Sequence, residues 1–358
     1  MVAHRLRAVA AALFVSIGLW PAGASAGLLS ISNFYVFGDS TLDPGNAQAA
    51  AAALGLGDPA PAGLGYFNGR FSNGPTYADL LNQAFGDGAF FAPAIAGVDT
   101  SGPVPVPIPS GATNFAIGGA NVLPPPGDPV EAASSLAAQL ALFDAGLTAG
   151  VVPALDAQSL VILNIGGNDV RDALSDALAA GMIEDAQNAA VAATVAGIEA
   201  AISALALSGA ERFLVANVPN VGLFPERLLD QPLAAALGDQ LSALFNDTLA
   251  FALDALAMTF SLDIALLDFD GLFDDILASG TFTETALPCI SSFAPPVVCP
   301  NPDDFLFWDP VHFTAAAQAL GFDAAVTALV PEPAALGVLL LMVGLAVCVI
   351  RLHGRPMF

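Results

Sequence analysis

The chain has 358 residues, 56% of them hydrophobic, and a formal net charge of −25 with eight arginines and no lysine. So negative a chain excludes a nucleic-acid partner, because phosphate binding needs a basic surface. The same field repels anionic lipid headgroups and favours neutral ligands.

Both ends read as targeting segments. His4, Arg5 and Arg7 precede an apolar run from Ala8 to Trp20, and Ala24-Ser25-Ala26 supplies the small residues a signal peptidase accepts. Residues 1–26 are therefore expected to be a signal peptide cleaved before Gly27. At the other end, Pro331-Glu332-Pro333 leads into Ala334 to Ile350, seventeen residues without a charge, followed by Arg351, His353 and Arg355. As a helix this stretch spans about 25 Å, enough for a short transmembrane segment with its basic end in the cytoplasm. Between the two lies one expected domain, residues 27–330. It holds every acidic residue but Glu332 and only four bases, Arg70, Arg171, Arg212 and Arg227.

In chain order, Phe34 to Phe37 reads as a buried strand running into Gly38-Asp39-Ser40, and Pro75 to Phe85 as a helix. The Pro/Gly-rich stretch from Phe90 to Ser110 is expected to be a long surface loop. Asn114 to Ile117 is a short strand leading into Gly118-Gly119, and Leu160 to Ile165 a strand leading into Gly166-Gly167. Asp172 to Leu207 reads as helix, Phe213 to Ala216 as a strand closed by Pro219, and Pro232 to Met258 as a long helix. Ile264 to Leu267 is the last core strand and Thr314 to Leu329 the last helix. Strands alternating with helices imply βαβ units and a parallel sheet covered on both faces. Sites in such sheets form outside the carboxyl ends of the strands. Ser40, Gly119, Asn168 and Asn217 each follow a predicted strand, so all four should face one rim.

His312 is the only histidine between the two terminal segments. Asp309, three residues before it, can bond the imidazole and set its tautomer, the third role in a Ser-His-Asp triad. Ser40, in the turn after a strand, exposes its hydroxyl at the rim; a helix N-cap is the alternative reading of that serine. A second serine, in Gly23-Ala24-Ser25-Ala26-Gly27, matches the nucleophile-elbow pattern but straddles the signal cleavage site. Glycine pairs let backbone N–H groups approach a ligand, and Asn168 adds an amide donor. Cys289 and Cys299 lie ten apart in an exported chain and are expected to form a disulfide. A structural metal needs about four ligands and only His312 is near, so no metal is expected.

The order Ser, Gly, Asn, His across these blocks resembles the SGNH/GDSL hydrolases, in their lipase/acylhydrolase branch. The matching text is Phe37-Gly-Asp-Ser-Thr-Leu-Asp-Pro-Gly-Asn46, Gly69-Arg-Phe-Ser-Asn-Gly-Pro75, Asn114-Phe-Ala-Ile-Gly-Gly-Ala120, Ile165-Gly-Gly-Asn-Asp169, Val215-Ala-Asn-Val-Pro-Asn220, Phe245-Asn-Asp247 and Phe307-Trp-Asp-Pro-Val-His312. The resemblance implies a three-layer αβα sandwich around a parallel, flavodoxin-like sheet, and an esterase that needs no cofactor. It makes Ser40 the nucleophile, His312 the base and Asp309 its orienter. The oxyanion would meet the N–H groups of Ser40 and Gly119 and the amide of Asn168. Thr41 and Phe313 depart from the family pattern. The substrate class implied is a neutral ester, a lipid or an acyl- or acetyl-bearing polysaccharide. The alternatives are a catalytically inactive matrix protein on the same scaffold, or an acyltransferase with the same residues. The segment 331–358 resembles the PEP-CTERM sorting signal, which implies a Gram-negative cell envelope, a transient membrane anchor and an exosortase that removes it.

Overall fold

The computed structural model describes residues 31–102, 105–124, 129–291 and 295–330. The signal peptide, the Gly23–Gly27 pattern, the Pro-Glu-Pro motif and the helix expected at 334–350 lie outside the described residues.

The aromatic and β-branched run after Asn33 forms strand β1 (Phe34–Gly38), every residue of it buried. Helix α1 (Asn46–Ala53), helix α2 (Tyr77–Phe85), the strands β2 (Ile95–Asp99) and β3 (Val106–Pro109), and helices α3 (Pro129–Ser134) and α4 (Leu136–Thr148) follow. Next come β4 (Leu160–Asn164), α5 (Gly167–Ala180), α6 (Asp185–Leu207), β5 (Arg212–Ala216), α7 (Leu233–Phe260), β6 (Asp263–Leu267) and α8 (Phe269–Ser279). The chain closes with β7 (Glu284–Pro288), β8 (Phe305–Phe307) and α9 (Ala315–Leu329).

Strands β1, β4, β5 and β6 pair in that order, all parallel, with Phe34 beside Leu160, Leu160 beside Arg212 and Arg212 beside Asp263. On the free edge of β1 runs the segment around Asn114. Val36 N–H donates to Thr113 O (2.9 Å), and Phe115 N–H and Ile117 N–H donate to Val36 O and Gly38 O (2.7 and 3.1 Å). The chain thus leaves β1 to one side first and then returns to build the sheet on the other. This reversal opens a crevice at the carboxyl end of β1 and puts helices on both faces.

Side chains alternate between the two faces. Tyr35, Phe37, Val161, Leu163, Phe213 and Val215 enter one large cluster with Phe143 of α4, Ile198 of α6 and Phe245 of α7. Val36, Ile162 and Leu214, equally buried, point the other way. There α2 and α9 meet, with Tyr77 N–H donating to Gln318 Oε1 (2.9 Å) and Tyr77 Oη to Asn164 Oδ1 (3.1 Å). By length and composition α6 and α7 could each cross a membrane, but both pack against one another and against α5.

The sheet and the αβα layering match the sequence reading, and three local expectations do not hold. The stretch expected to be a loop at 90–110 carries the antiparallel pair β2–β3. Its prolines are tolerated because a two-stranded ribbon is all edge. The helix expected over 172–207 is two helices. Gly181, at φ 77°, ends α5, and Gln187 Oε1 accepts from Glu184 N–H (2.8 Å) as α6 restarts. Asn114–Ile117 runs beside β1 and bonds it at Val36 and Gly38, but forms no continuous strand with it.

Candidate active site

The site begins where β1 ends. Gly38 is clamped by Gln139 of α4, whose Oε1 accepts from Gly38 N–H (2.9 Å) while its Nε2 donates to Gly38 O (2.8 Å). A Cβ at Gly38 would stand 2.7 Å from Asn164 O, so only glycine lets β1 and β4 approach here. The chain then turns: Asp39 Oδ1 accepts from Thr41 N–H (2.8 Å) and Asp39 O from Leu42 N–H (3.2 Å). Ser40 sits in this turn, 8% exposed. Behind it Asp43 gathers the N–H groups of Gly45, Asn46 and Gly118 (2.7, 2.5 and 2.7 Å). Asn46 bonds the carbonyls of Asn114 and Ala116 (2.8 and 2.9 Å), fastening α1 to the neighbouring segment.

His312 arrives from the other end of the chain. After β8, Asp309 Oδ1 accepts from Val311 N–H and His312 N–H (3.0 and 2.8 Å), closing a tight turn that returns the imidazole onto the same carboxylate. Nδ1 lies 2.8 Å from Oδ1 and 2.7 Å from Oδ2. Facing a carboxylate, Nδ1 carries the proton, which leaves Nε2 as an acceptor; Nε2 stands 2.8 Å from Ser40 Oγ. The Phe71 ring lies 4.9 Å from the imidazole, one wall of its slot. Burial by itself would raise the Asp309 carboxyl. The attraction of the His312 ring when protonated and the hydrogen bonds from His312, Val311 and Tyr66 outweigh it and hold the carboxyl at about 2.

Tyr66 was not legible in the sequence. Its hydroxyl donates to Asp309 Oδ2 (2.7 Å), and its ring stands edge-on to Trp308, 6.0 Å away. Burial, then the charge of Asp309, push the Tyr66 hydroxyl far above its ordinary range, so it stays a donor at every working pH. Tyr66→Phe keeps the ring contact and removes one of the donors to Asp309. A hydrogen bond to a charged group is worth about 1.5–3 kcal/mol, and three donors remain, so kcat should fall by roughly tenfold. Steady-state kinetics check this; a loss as large as that of Asp309→Ala would make Tyr66 indispensable to the carboxylate.

Asn168 enters from α5. Gly166, at φ 109°, starts that helix, and a Cβ there would meet the Phe245 ring at 2.6 Å. Asn168 Nδ2 donates to Ala120 O (2.9 Å), which joins it to the turn holding Gly119. Among the described residues neither Ser40 N–H nor Gly119 N–H has a protein acceptor. Ser40, Asn168, Asn217 and His312 line one cleft; Gly119 adjoins it through Ala120 and does not line it. A small apolar pocket, walled by Leu272, Phe273, Ile276 and Leu306, opens beside it. Thr41, Phe269 and Phe313 line both.

Cys289 and Cys299 are bonded, with Cα atoms 4.9 Å apart. Cys289 N–H donates to Phe307 O and Ile290 N–H to Trp308 O (2.9 and 2.8 Å), so the bridge braces the strand that delivers Asp309 and His312.

Two further carboxyls near the rim set a pH response. Burial, working against the N–H groups of Gly118, Gly45, Ala47 and Asn46, raises Asp43 to about 6. Burial likewise outweighs the N–H groups of Val122 and Leu123 and raises Asp169 to about 6. A carboxyl whose folded pKa exceeds its unfolded value near 4 binds its proton more tightly when folded. Stability from these groups is therefore full below about pH 4 and declines as pH rises through 6, by on the order of 1–3 kcal/mol each. Asp309 has the opposite sign, losing its contribution only as pH falls from about 4 to 2. Relief of the negative net charge adds to the first trend. The melting midpoint should accordingly be higher at pH 5 than at pH 8, and a lower midpoint at pH 5 would contradict this balance.

A model of the GDSL-like lipase/acylhydrolase family matches residues 34–325. The chain is 26% identical over 320 residues to a GDSL esterase/lipase of Arabidopsis thaliana, covering 80% of this chain and 84% of that one. Among solved structures it is similar to an extracellular lipase from Streptomyces rimosus, at 16% identity and a TM-score of 0.41, over 83% of this chain and 99% of that one. A phospholipase A1 from Streptomyces albidoflavus is also similar, at 15% identity and a TM-score of 0.40, over the same shares. The family match takes in every sequence block from the Ser40 turn to His312, and the chain belongs to the GDSL-like lipase/acylhydrolase family.

Proposed function

We propose that this member of an ester-hydrolysing family is a serine esterase acting on neutral carboxylic esters through an acyl-enzyme on Ser40. The observation that carries the reading is the unbroken line from Ser40 Oγ to His312 Nε2 (2.8 Å) and from Nδ1 to Asp309 (2.7 Å). Ser40 Oγ attacks the ester carbonyl carbon as its proton passes to Nε2, and Asp309 holds the imidazolium that forms. The oxyanion is met by the N–H groups of Ser40 and Gly119 and the amide of Asn168. Collapse breaks the bond to the alcohol, which leaves with the proton from Nε2. Water, deprotonated by Nε2, then attacks the acyl-enzyme, and the acid leaves as Ser40 regains its proton.

The apolar walls beside the cleft support an apolar acyl group, and the acidity of the chain supports an uncharged substrate. The test is turnover of nitrophenyl esters from acetyl to palmitoyl by the purified protein, with Ser40→Ala in parallel. Equal and undiminished hydrolysis by both proteins would end the reading.

Export belongs to the same proposal. Residues 1–26 direct the chain across the inner membrane of a Gram-negative bacterium, and 334–350 hold it there until an exosortase cuts near Pro331-Glu332-Pro333. Intact-mass analysis from the native host is expected to find neither end. A mature species still ending in Phe358 would make the anchor permanent.

A further inference from the structure

Asn168 can serve an oxyanion only if its NH2 group, and not its carbonyl oxygen, is presented to the cleft. An amide is free to turn over unless its partners forbid it. Here Nδ2 donates to Ala120 O (2.9 Å), and Oδ1 accepts from Arg171 Nη1 at 2.6 Å. Turning the amide over would set oxygen against the Ala120 carbonyl and NH2 against a guanidinium, losing both bonds at once. Arg171 lies three residues on, on the same face of α5, and is itself immobilised. Its Nε and Nη2 form a two-point bond with Glu226 (2.8 and 2.7 Å). Glu226 in turn donates its backbone N–H to Pro310 O (3.0 Å), within the turn between Asp309 and His312. Arg227 closes the cluster, donating to Ser175 Oγ (2.7 Å) and Arg171 O (3.3 Å). The line Asn168–Arg171–Glu226–Pro310 ties the oxyanion donor to the loop of the base.

We infer that Arg171, held by Glu226, is a positioning residue that fixes and polarises the Asn168 amide for the transition state. The inference rests on the esterase reading and on Asn168 as an oxyanion donor. Removing one such donor outright costs about 10²–10³ in rate. Arg171→Met leaves the donor in place but held by Ala120 O alone, and should lower kcat by about 10–100-fold, with KM changed far less.

A double-mutant cycle with Asn168→Ala separates positioning from a merely structural ion pair between α5 and the segment after β5. If Arg171 acts through Asn168, then Arg171→Met in the Asn168→Ala background changes kcat by less than about twofold. If the two losses multiply, the inference is overturned. It is overturned equally if Arg171→Met alone leaves kcat untouched. Should Arg171→Met not fold, Glu226→Gln, which retains the backbone bond to Pro310, runs the same cycle with the same two outcomes. Ser40→Ala in the same assay keeps the two ideas apart. Full activity there sinks the esterase mechanism itself, whereas an inactive Ser40→Ala beside an unaffected Arg171→Met sinks only the positioning role.

Discussion

Ser40→Ala and His312→Ala are each expected to reduce kcat by on the order of 10⁴–10⁶, and the double variant is expected to be no worse than either. On the proposed mechanism the hydroxyl and the imidazole act as one unit. A serine whose proton has no acceptor is a poor nucleophile, and a base without its hydroxyl has nothing to activate. Neither change should disturb the fold. The Ser40 turn is held by Asp39, through Thr41 N–H and Leu42 N–H, and the His312 turn by Asp309 with Trp308 N–H donating to His312 O (2.6 Å). None of these bonds uses the hydroxyl or the ring. Asp309→Ala should cost less in rate, about 10³–10⁴, because it orients the base without exchanging protons with the substrate. It should cost more in stability, because three N–H donors and the Tyr66 hydroxyl lose their acceptor. Initial rates on nitrophenyl esters together with thermal melts check both halves. Multiplying losses in the double variant would mean that the two residues work apart.

Arg70→Met is expected to be the most destabilising single exchange near the site, by about 3–5 kcal/mol, the cost of leaving one member of a buried ion pair alone. Arg70 and Asp79 are 3% and 0% exposed and bond through two parallel contacts of 2.7 Å. The guanidinium also bonds the carbonyls of Pro44, Asn68 and Phe91 (3.1, 3.2 and 2.8 Å). Asp79 meanwhile accepts from Thr76 N–H and Phe91 N–H (both 2.9 Å), capping α2. One cation thus gathers three loops, including the one that carries Tyr66 and Phe71 to Asp309 and His312. The melting midpoint should drop by on the order of 10 °C, with activity lost in parallel. Asp263→Asn is the control. Asp263 is 79% exposed and 3.8 Å from Arg212, a surface contact worth about 0–1 kcal/mol.

What the amino-acid sequence determined by itself is the part governed by local pattern and by residue scarcity. Apolar runs of strand length ending in Gly-Asp-Ser or Gly-Gly-Asn announce β1 and β4 and the residues at their carboxyl ends, because a parallel sheet leaves its sites there. A single histidine in the domain left one candidate base, and an aspartate three residues before it left one orienter. The targeting segments proposed at the two ends are readings of composition alone, made without a fold. Spacing could have pointed to Arg171 as well, since i and i+3 share a helix face, but nothing in the chain says that Glu226 and Pro310 lie beyond it.

Contacts between distant segments were decided only by the tertiary structure. Tyr66 meets Asp309 across 243 residues, and Gln139 clamps Gly38 across 101. Neither stands in a motif, because a hydroxyl or an amide in a loop looks the same whether it faces water or a buried carboxylate. The hairpin at β2–β3 was hidden for a related reason. Its strands are stabilised by pairing with each other and by Asn46 Oδ1 accepting from Ile95 N–H (3.1 Å), not by any preference of Pro- and Gly-rich sequence. Local propensity is worth tenths of a kcal/mol per residue, whereas a buried polar group left unpaired costs about 1–3 kcal/mol. Where the two disagree, the partner across the fold wins.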